Sequence, residues 1–342
     1  MSLERLLKFV AKLCLKGEPL PVAFEKAREL GLLRGLNGDE TYETARRFLL
    51  YYNSLEGNLD ERVERFLRGE GRPSFPPWAE EALPRLKAEA ESSLKRTYWF
   101  WINPLKGDPE KTEREVLSEI EAERDRDFPE LFRAIKGNPT KLRAFKEGRI
   151  VVQDKASFAV VKALDPRPGE LIYDMASAPG VKVALVMALT GNSAEVVASE
   201  LEGRRLEKER KLLRELGVDL DRIHLVNADS SFPLVRRADK VLLDAPCSSS
   251  GMVPNDPSVL LTLTREKVEG FSRLQREMLR TALTISKRIV FSTCSVFPQE
   301  GEEQVRGMRT ARLNFGERTE GGVRFWPSMG TQGFFISVIL NE

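Results

Sequence analysis

The chain has 342 residues, 41% of them apolar and 31% charged, more than one hydrophobic core usually serves, so two or three soluble globular domains are expected. Its 54 basic residues are nearly cancelled by 52 acidic ones, and a net charge of +2 does not by itself call for nucleic acid; any such contact must come from a local patch. Three cysteines without C-x-x-C spacing and a single histidine, His224, argue against a metal site, a disulfide framework and Ser-His-Asp chemistry, which leaves Cys, Lys, Asp, Glu or a cofactor.

No apolar run approaches a membrane span, and the N-terminus lacks the basic region and cleavage site of a secretory signal, so a cytoplasmic location is expected. Residues 1–70 read as a helical domain. Leu3, Leu6, Leu7, Val10, Leu13 and Cys14 share one helix face, which makes Cys14 a core residue. Asp39 is a candidate cap for a second run carrying Tyr42, Ala45, Phe48, Leu49 and Tyr52, and Val63, Phe66 and Leu67 mark a third that stops near Gly69. The Gly- and Pro-rich residues 69–77 read as a linker, and a helical pattern from Trp78 to Lys95 is interrupted at Pro84; together they form a connecting segment over 71–92.

Residues 93–152 alternate between strand and helix patterns and suggest a small α+β, RRM-like subdomain. The aromatic, β-branched stretch 97–102 is a strand; residues 108–124 form a charged helix with Leu117 and Ile120 inward. Lys95, Arg96, Lys106, Lys141, Arg143, Lys146 and Arg149, with aromatic rings nearby, are what single-stranded RNA needs, although the same residues also suit a solvated face over an aromatic core.

From residue 153 to the end, strand patterns at 171–174, 195–199, 223–227, 240–244 and 288–293 alternate with helical ones. That order calls for right-handed crossovers and an α/β fold with a mostly parallel, Rossmann-like sheet, closed by an antiparallel strand at 333–340. Ligands in such folds lie at the carboxyl ends of the strands. There the chain puts Asp174 and the small-residue turn Ala176, Ser177, Ala178, Pro179 and Gly180; Glu200, suited to ribose hydroxyls; Asp229; Asp244 and Cys247; and Cys294. The turn opens a helix at Val181 and so offers free backbone N–H groups. His224 reads as a partly buried strand residue.

D-M-A-S-A-P-G-V-K at 174–182, L-L-D-A-P-C-S at 242–248 and S-T-C-S-V-F-P-Q-E at 292–300 resemble the motifs of the S-adenosylmethionine-dependent RNA cytosine-C5 methyltransferases of the Sun (Fmu) family. The similarity extends to QDKAS, WINPLK, FPPW and GFF, and covers about residue 72 to the C-terminus. It implies a class I methyltransferase domain over 153–342, preceded by an RNA-binding subdomain and an N-terminal helical region that resembles NusB-like domains. It further implies that Cys294 adds to cytosine C6, that Cys247 assists product release, that Asp244 bonds the base edge and that Lys182 favours a thiolate. The two cysteine roles exchanged are the mechanistic alternative. For the cofactor, S-adenosylmethionine, the resemblance implies Ala176, Ser177, Ala178, Pro179, Gly180, Val181 and Lys182 at the methionine end, Glu200 at the ribose, Asp229 at the adenine, Asp244 beside the methionine and Arg205 in the following helix.

The expected partner is RNA, ribosomal before transfer RNA, for a monomer without metal or membrane contact. A transfer-RNA enzyme, an amino-nitrogen methyltransferase and a non-catalytic RNA-binding assembly factor are the competing readings. Val181 for a glycine, Pro254 and Asn255 for arginines, and Gly301 for an asparagine are the departures from the family pattern.

Overall fold

The structure, a computed structural model, describes residues 3–341. It opens with four helices: α1 (Leu3–Cys14), α2 (Leu20–Glu29), α3 (Gly38–Tyr51) and α4 (Leu59–Leu67). Leu6, Leu7, Val10, Cys14, Phe24, Phe48 and Val63 close a core of their own, and burial pushes the Cys14 thiol up to about 12. α2 lies outside the sequence expectation. The cap of α3 is Asn37, whose side chain accepts from Asp39 N and Glu40 N, while Asp39 lies in the first helical turn and pairs with Lys141.

Residues 69–77 pack rather than link. Phe75 is buried, its N–H donates to Glu80 Oε1, and Arg72 pairs with Glu80 at 2.6 Å. Helices α5 (Pro77–Ala82) and α6 (Leu86–Ser92) follow on either side of Pro84.

A four-stranded antiparallel sheet, ordered β2-β3-β1-β4, comes next. It comprises β1 (Tyr98–Ile102), α7 (Pro109–Glu119), β2 (Glu121–Arg124), β3 (Leu131–Lys136), α8 (Arg143–Lys146) and β4 (Ile150–Val152). The charged helix ends at Ile120, and Glu121–Arg124 pairs as an edge strand with β3; Val116 faces inward while Leu117 is exposed. β1 explains how this sheet is attached. Successive side chains alternate across a strand, so Phe100 enters the sheet's own core with Phe132 and Ile150, while Trp99 and Trp101 enter the core of the next domain. Their indole N–H groups donate to Gly330 O and Gln153 Oε1, both at 2.8 Å. These rings are therefore committed to packing. Arg96, Lys141, Arg143 and Arg149 are ion-paired with Glu43, Asp39, Glu147 and Glu115, which leaves Lys95, Lys106 and Lys146 without a salt bridge among the described residues.

The remaining chain forms an eight-stranded sheet ordered β10-β11-β12-β9-β8-β5-β6-β7. In sequence these are α9 (Lys155–Leu164), β5 (Leu171–Asp174), α10 (Val181–Leu189), β6 (Glu195–Glu200), α11 (Gly203–Glu215), β7 (Ile223–Asn227), β8 (Lys240–Asp244), α12 (Arg265–Ile285), β9 (Arg288–Thr293), α13 (Glu302–Val305), β10 (Glu317–Thr319), β11 (Gly322–Phe325) and β12 (Phe334–Leu340). β5 through β9 pair in parallel, and β12 lies antiparallel against β9. The Rossmann-like expectation holds, with β10 and β11 as an additional antiparallel ribbon. Strand order reverses between β5 and β8, which opens a crevice at their carboxyl ends.

Arg46 of α3 ties the N-terminal helices to this sheet. Almost fully buried, it donates to Ser93 O (2.9 Å), Leu94 O (2.5 Å) and Pro254 O (3.1 Å) and pairs with Glu43 at 2.7 Å. Leu50, Phe75, Val253, Leu260, Val296, Phe297 and Trp326 share one apolar cluster that joins the same segments. Arg46→Ala is expected to lower unfolding stability by roughly 3 kcal/mol, because it orphans buried carbonyls; urea titration checks this, and Arg46→Lys is expected to recover only part of the loss.

Candidate active site

Three strand ends and the loops that follow them build the site. β5 runs into Met175 and the small-residue turn, where Gly180, at φ +97°, caps α10. That left-handed conformation suits glycine, and a Cβ there would lie 2.7 Å from Glu209 Cγ. Val181 therefore leaves the turn intact: the requirement falls on position 180. Ser177 N donates to Ser199 O (3.0 Å) and Arg205 Nη2 to Ala178 O (2.9 Å), fixing the turn against β6 and α11.

β8 ends at Asp244 and β9 at Thr293, adjacent in the sheet, so the DAPC and TC segments leave side by side. Cys247 Sγ and Cys294 Sγ lie 3.0 Å apart. Cys247 is buried and Cys294 half-buried. The hydrogen bond to Cys294, then burial, pushes the Cys247 thiol well above the usual thiol range.

The two loops are held by Glu300. Its fully buried carboxylate accepts from Ser248 N (2.7 Å), Ser248 Oγ (2.5 Å), Ser295 Oγ (2.6 Å) and Gln275 Nε2 (3.2 Å). Gly251 completes the tie: its N–H donates to Cys294 O, its carbonyl accepts from Gly333 N, and a Cβ would sit 1.9 Å from Gly333 O.

Beside the thiols, Lys182 Nζ pairs with Asp244 Oδ2 at 2.5 Å, and Ser292 Oγ donates to Asp244 Oδ1 at 2.6 Å. Burial lowers the ammonium's pKa, but the Asp244 carboxylate outweighs it and holds Lys182 above its ordinary value.

A cleft of about 260 Å³ opens next to this pair, lined among others by Ala176, Ala178, Glu200, Arg205, Asp229 and Asp244. Those six of the expected cofactor residues meet in one cavity, whereas Ser177, Pro179, Gly180, Val181 and Lys182 do not line it. Sequence reasoning missed Met175, Leu201, Pro246 and Met278 on its walls. Glu200 pairs with Arg205 at 3.0 Å, and Asp229 accepts from Ser231 N at 2.9 Å. A buried triangle of Tyr173, Ser199 and Ser230 hydroxyls pins the loop that presents Asp229. A cavity lined by the acids Glu200, Asp229 and Asp244 together with Met175, Leu201 and Met278 suits a nucleoside carrying a sulfonium cation. His224 belongs elsewhere: it is exposed on edge strand β7 and bonds Glu195 at 2.7 Å, which corrects its expected partial burial.

Of the departures, Gly301 is explained by its surroundings. A Cβ there would lie 2.5 Å from Arg324 Nη2 and 3.0 Å from Phe335 Cγ, so the guanidinium occupies the space a larger residue would need. Arg324 in turn donates to Ser295 O and Phe297 O and pairs with Glu302.

The model of the 16S rRNA methyltransferase RsmB/F family matches residues 161–339. The tRNA (cytosine(72)-C(5))-methyltransferase of Pyrococcus horikoshii is 31% identical over 212 residues, 58% of this chain and 54% of its own. The ribosomal RNA small subunit methyltransferase B of Vibrio cholerae is 32% identical over 214 residues, 59% and 48% respectively. The chain thus matches about half the length of these curated relatives. Among solved structures, a methyltransferase homologue from Pyrococcus horikoshii aligns with a TM-score of 0.66 at 26% identity, covering 91% of this chain and 97% of its own. NSun6 from the same organism, solved with SFG, has a TM-score of 0.68 at 22% identity over 77% and 96%, a likeness of fold. A family match that spans just over half of the chain and ends within β12 makes it a member of the RsmB/F family, the S-adenosylmethionine-dependent RNA cytosine-C5 methyltransferases.

Proposed function

We propose that this chain methylates C5 of a cytosine in RNA, with Cys294 as the nucleophile. The observation that supports it most directly is the pair of thiols 3.0 Å apart beside the Lys182–Asp244 ion pair, at the rim of an acid-lined cleft. Bound S-adenosylmethionine supplies an electrophilic methyl group. The cleft residues Glu200, Asp229 and Asp244, with the turn at Ala176 and Ala178, are those that would hold it.

Cytosine C5 is a weak nucleophile until a group adds at C6. The Cys294 sulfur forms the S–C6 bond, and the electron pair moves to C5, which takes the methyl group. The C5 proton then passes to solvent water, its bonding pair restores the C5–C6 double bond, and the S–C6 pair returns to Cys294 as a thiolate, which frees the base. Two features favour Cys294 over Cys247 for the first step. Cys294 is the more exposed thiol, and Cys247 is buried and hydrogen-bonded to it. Cys247 then stands within reach of the departing sulfur, and its S–H donates a hydrogen bond to the thiolate that leaves. Lys182 stabilises negative charge on sulfur, and Asp244 accepts from the exocyclic amine of the base.

Ribosomal RNA is the proposed target, in keeping with the family model, and the relative acting on tRNA makes transfer RNA the second reading. A cytoplasmic location and a monomeric state accompany this proposal. Lys95, Lys106 and Lys146 are the candidate phosphate contacts of the small subdomain.

With labelled S-adenosylmethionine and small-subunit rRNA or tRNA, Cys294→Ala is expected to lower kcat on the order of 10⁴-fold or more. Cys247→Ala is expected instead to accumulate an RNA adduct that survives denaturing electrophoresis. Full turnover by Cys294→Ala would falsify the nucleophile assignment, and an adduct in Cys294→Ala but not Cys247→Ala would exchange the two roles. Asp244→Asn is expected to cost about 10²-fold in kcat. Because Asp244 is what raises the Lys182 pKa against burial, the alkaline limb of the pH–rate profile should also move to lower pH in this variant; an unmoved limb would dissociate Lys182 from the chemistry.

A further inference from the structure

One buried acid next to the cleft has no part in the chemistry above. α11 is charged along most of its length, and its charged side chains face solvent with the exception of Glu209, which is 0% exposed and takes a place in the inward stripe with Leu206 and Leu213. Its Oε2 accepts from Ser177 Oγ at 2.7 Å; its Oε1, equally buried, has no hydrogen-bond partner. Its Cγ lies where a side chain on Gly180 would begin. The turn of residues 176–180 is therefore a thin layer, with the cleft against Ala176 and Ala178 on one side and Glu209 under Ser177 and Gly180 on the other.

We propose that Glu209 is a positioning residue for the cofactor turn: through Ser177 and the bare face of Gly180 it sets the height at which the turn meets the methionine end of S-adenosylmethionine. This rests on the cofactor reading given above. The tie is specific, because Ser177 also hangs from β6 by its N–H to Ser199 O and accepts Gly180 N, so the hydroxyl contact fixes a residue already held at two backbone points.

The charged groups facing Glu209 are Asp174 on β5, Glu200 on β6, Arg205 on α11 and, beyond Asp174, Lys182 on α10. Neither cation is available to it. Arg205 is paired with Glu200 and Lys182 with Asp244. Burial accordingly pushes Glu209 up to about 7, and burial with Glu209 nearby pushes Asp174 up to about 8. A neutral Glu209 leaves the N-terminus of α10 attractive to the carboxylate of a methionine group, while an ionised one repels it from directly beneath the turn. Binding therefore favours the protonated acid, so affinity is highest below the free-protein pKa and falls as pH rises through about 7.

The test is titration calorimetry of S-adenosylmethionine into the full chain from pH 6 to 9, for wild type, Glu209→Gln, Glu209→Leu and Ser177→Ala. Wild-type Kd should rise several-fold across the interval, with at most about a tenfold change per pH unit for one proton. Glu209→Gln, which stays neutral and keeps the acceptor, should bind as tightly as wild type at pH 6 and lose the limb near 7. Glu209→Leu and Ser177→Ala should each weaken binding about tenfold at pH 6, and Glu209→Leu, which has no proton to lose, should show no limb near 7. A Glu209→Gln profile that retains the wild-type limb, or a folded Glu209→Leu that binds like wild type, overturns the inference alone. A wild-type chain that binds no S-adenosylmethionine overturns it together with the cofactor reading.

Discussion

The geometry of the site depends on one buried carboxylate, Glu300. The loops after β8 and β9 begin on neighbouring strands, but strand pairing alone sets backbone separation of about 5 Å, not the placement of two sulfur atoms. Glu300 converts that neighbourhood into a fixed distance by accepting from Ser248 on one loop and Ser295 on the other. Away from water such charge-assisted bonds are strong, and each leaves a costly orphan if broken. Gly251 and Gly333 then allow two backbones to approach more closely than any side chain would permit. The 3.0 Å between Cys247 and Cys294 is the consequence of these ties.

The same logic of partnership sorts the acids of the site. Glu200 and Asp244 each have a cation, Arg205 and Lys182, and both reach the cleft. Asp174 and Glu209 have none, lie behind the turn, and are pushed up to about 8 and 7. For Asp174 and Glu209 burial disfavours the charged form and no ion pair offsets it. The cleft therefore presents Glu200 and Asp244 already tied to cations, and the two acids without a counter-ion lie behind the turn.

The central sheet was legible in the sequence because parallel strands covered on both faces appear as apolar runs, as Leu171–Asp174, Lys240–Asp244 and Arg288–Thr293 do. The candidate site was legible for the same reason, since polar residues that terminate such runs converge on one rim. Glu121–Arg124 and Glu317–Thr319 were not legible: they are short edge strands of charged residues, and only their partners make them strands. Asn37 and Asp39 are equally good caps, and two residues of register decided between them. Trp99 and Trp101 resembled rings available for stacking on bases because composition carries no information about which domain covers a strand's second face. Glu209 sits in a run of Lys, Arg and Glu, where a helical stripe containing one acid looks like any other. Its burial comes from Gly180 on a distant segment.

The departures from the family pattern belong to the same set of contacts. Gly301 makes room for Arg324, whose guanidinium bonds the carbonyls of Ser295 and Phe297 and so stiffens the loop carrying Cys294 from the side opposite Glu300. Pro254 offers its carbonyl to Arg46, and Asp256 accepts from Leu20 N at the start of α2, so the segment following Cys247 is gripped by the N-terminal helices. A residue that appears lost when the chain is compared position by position is in both places accompanied by an arginine from another segment that contacts the same loop. The helices thus help to hold the loop that follows Cys247.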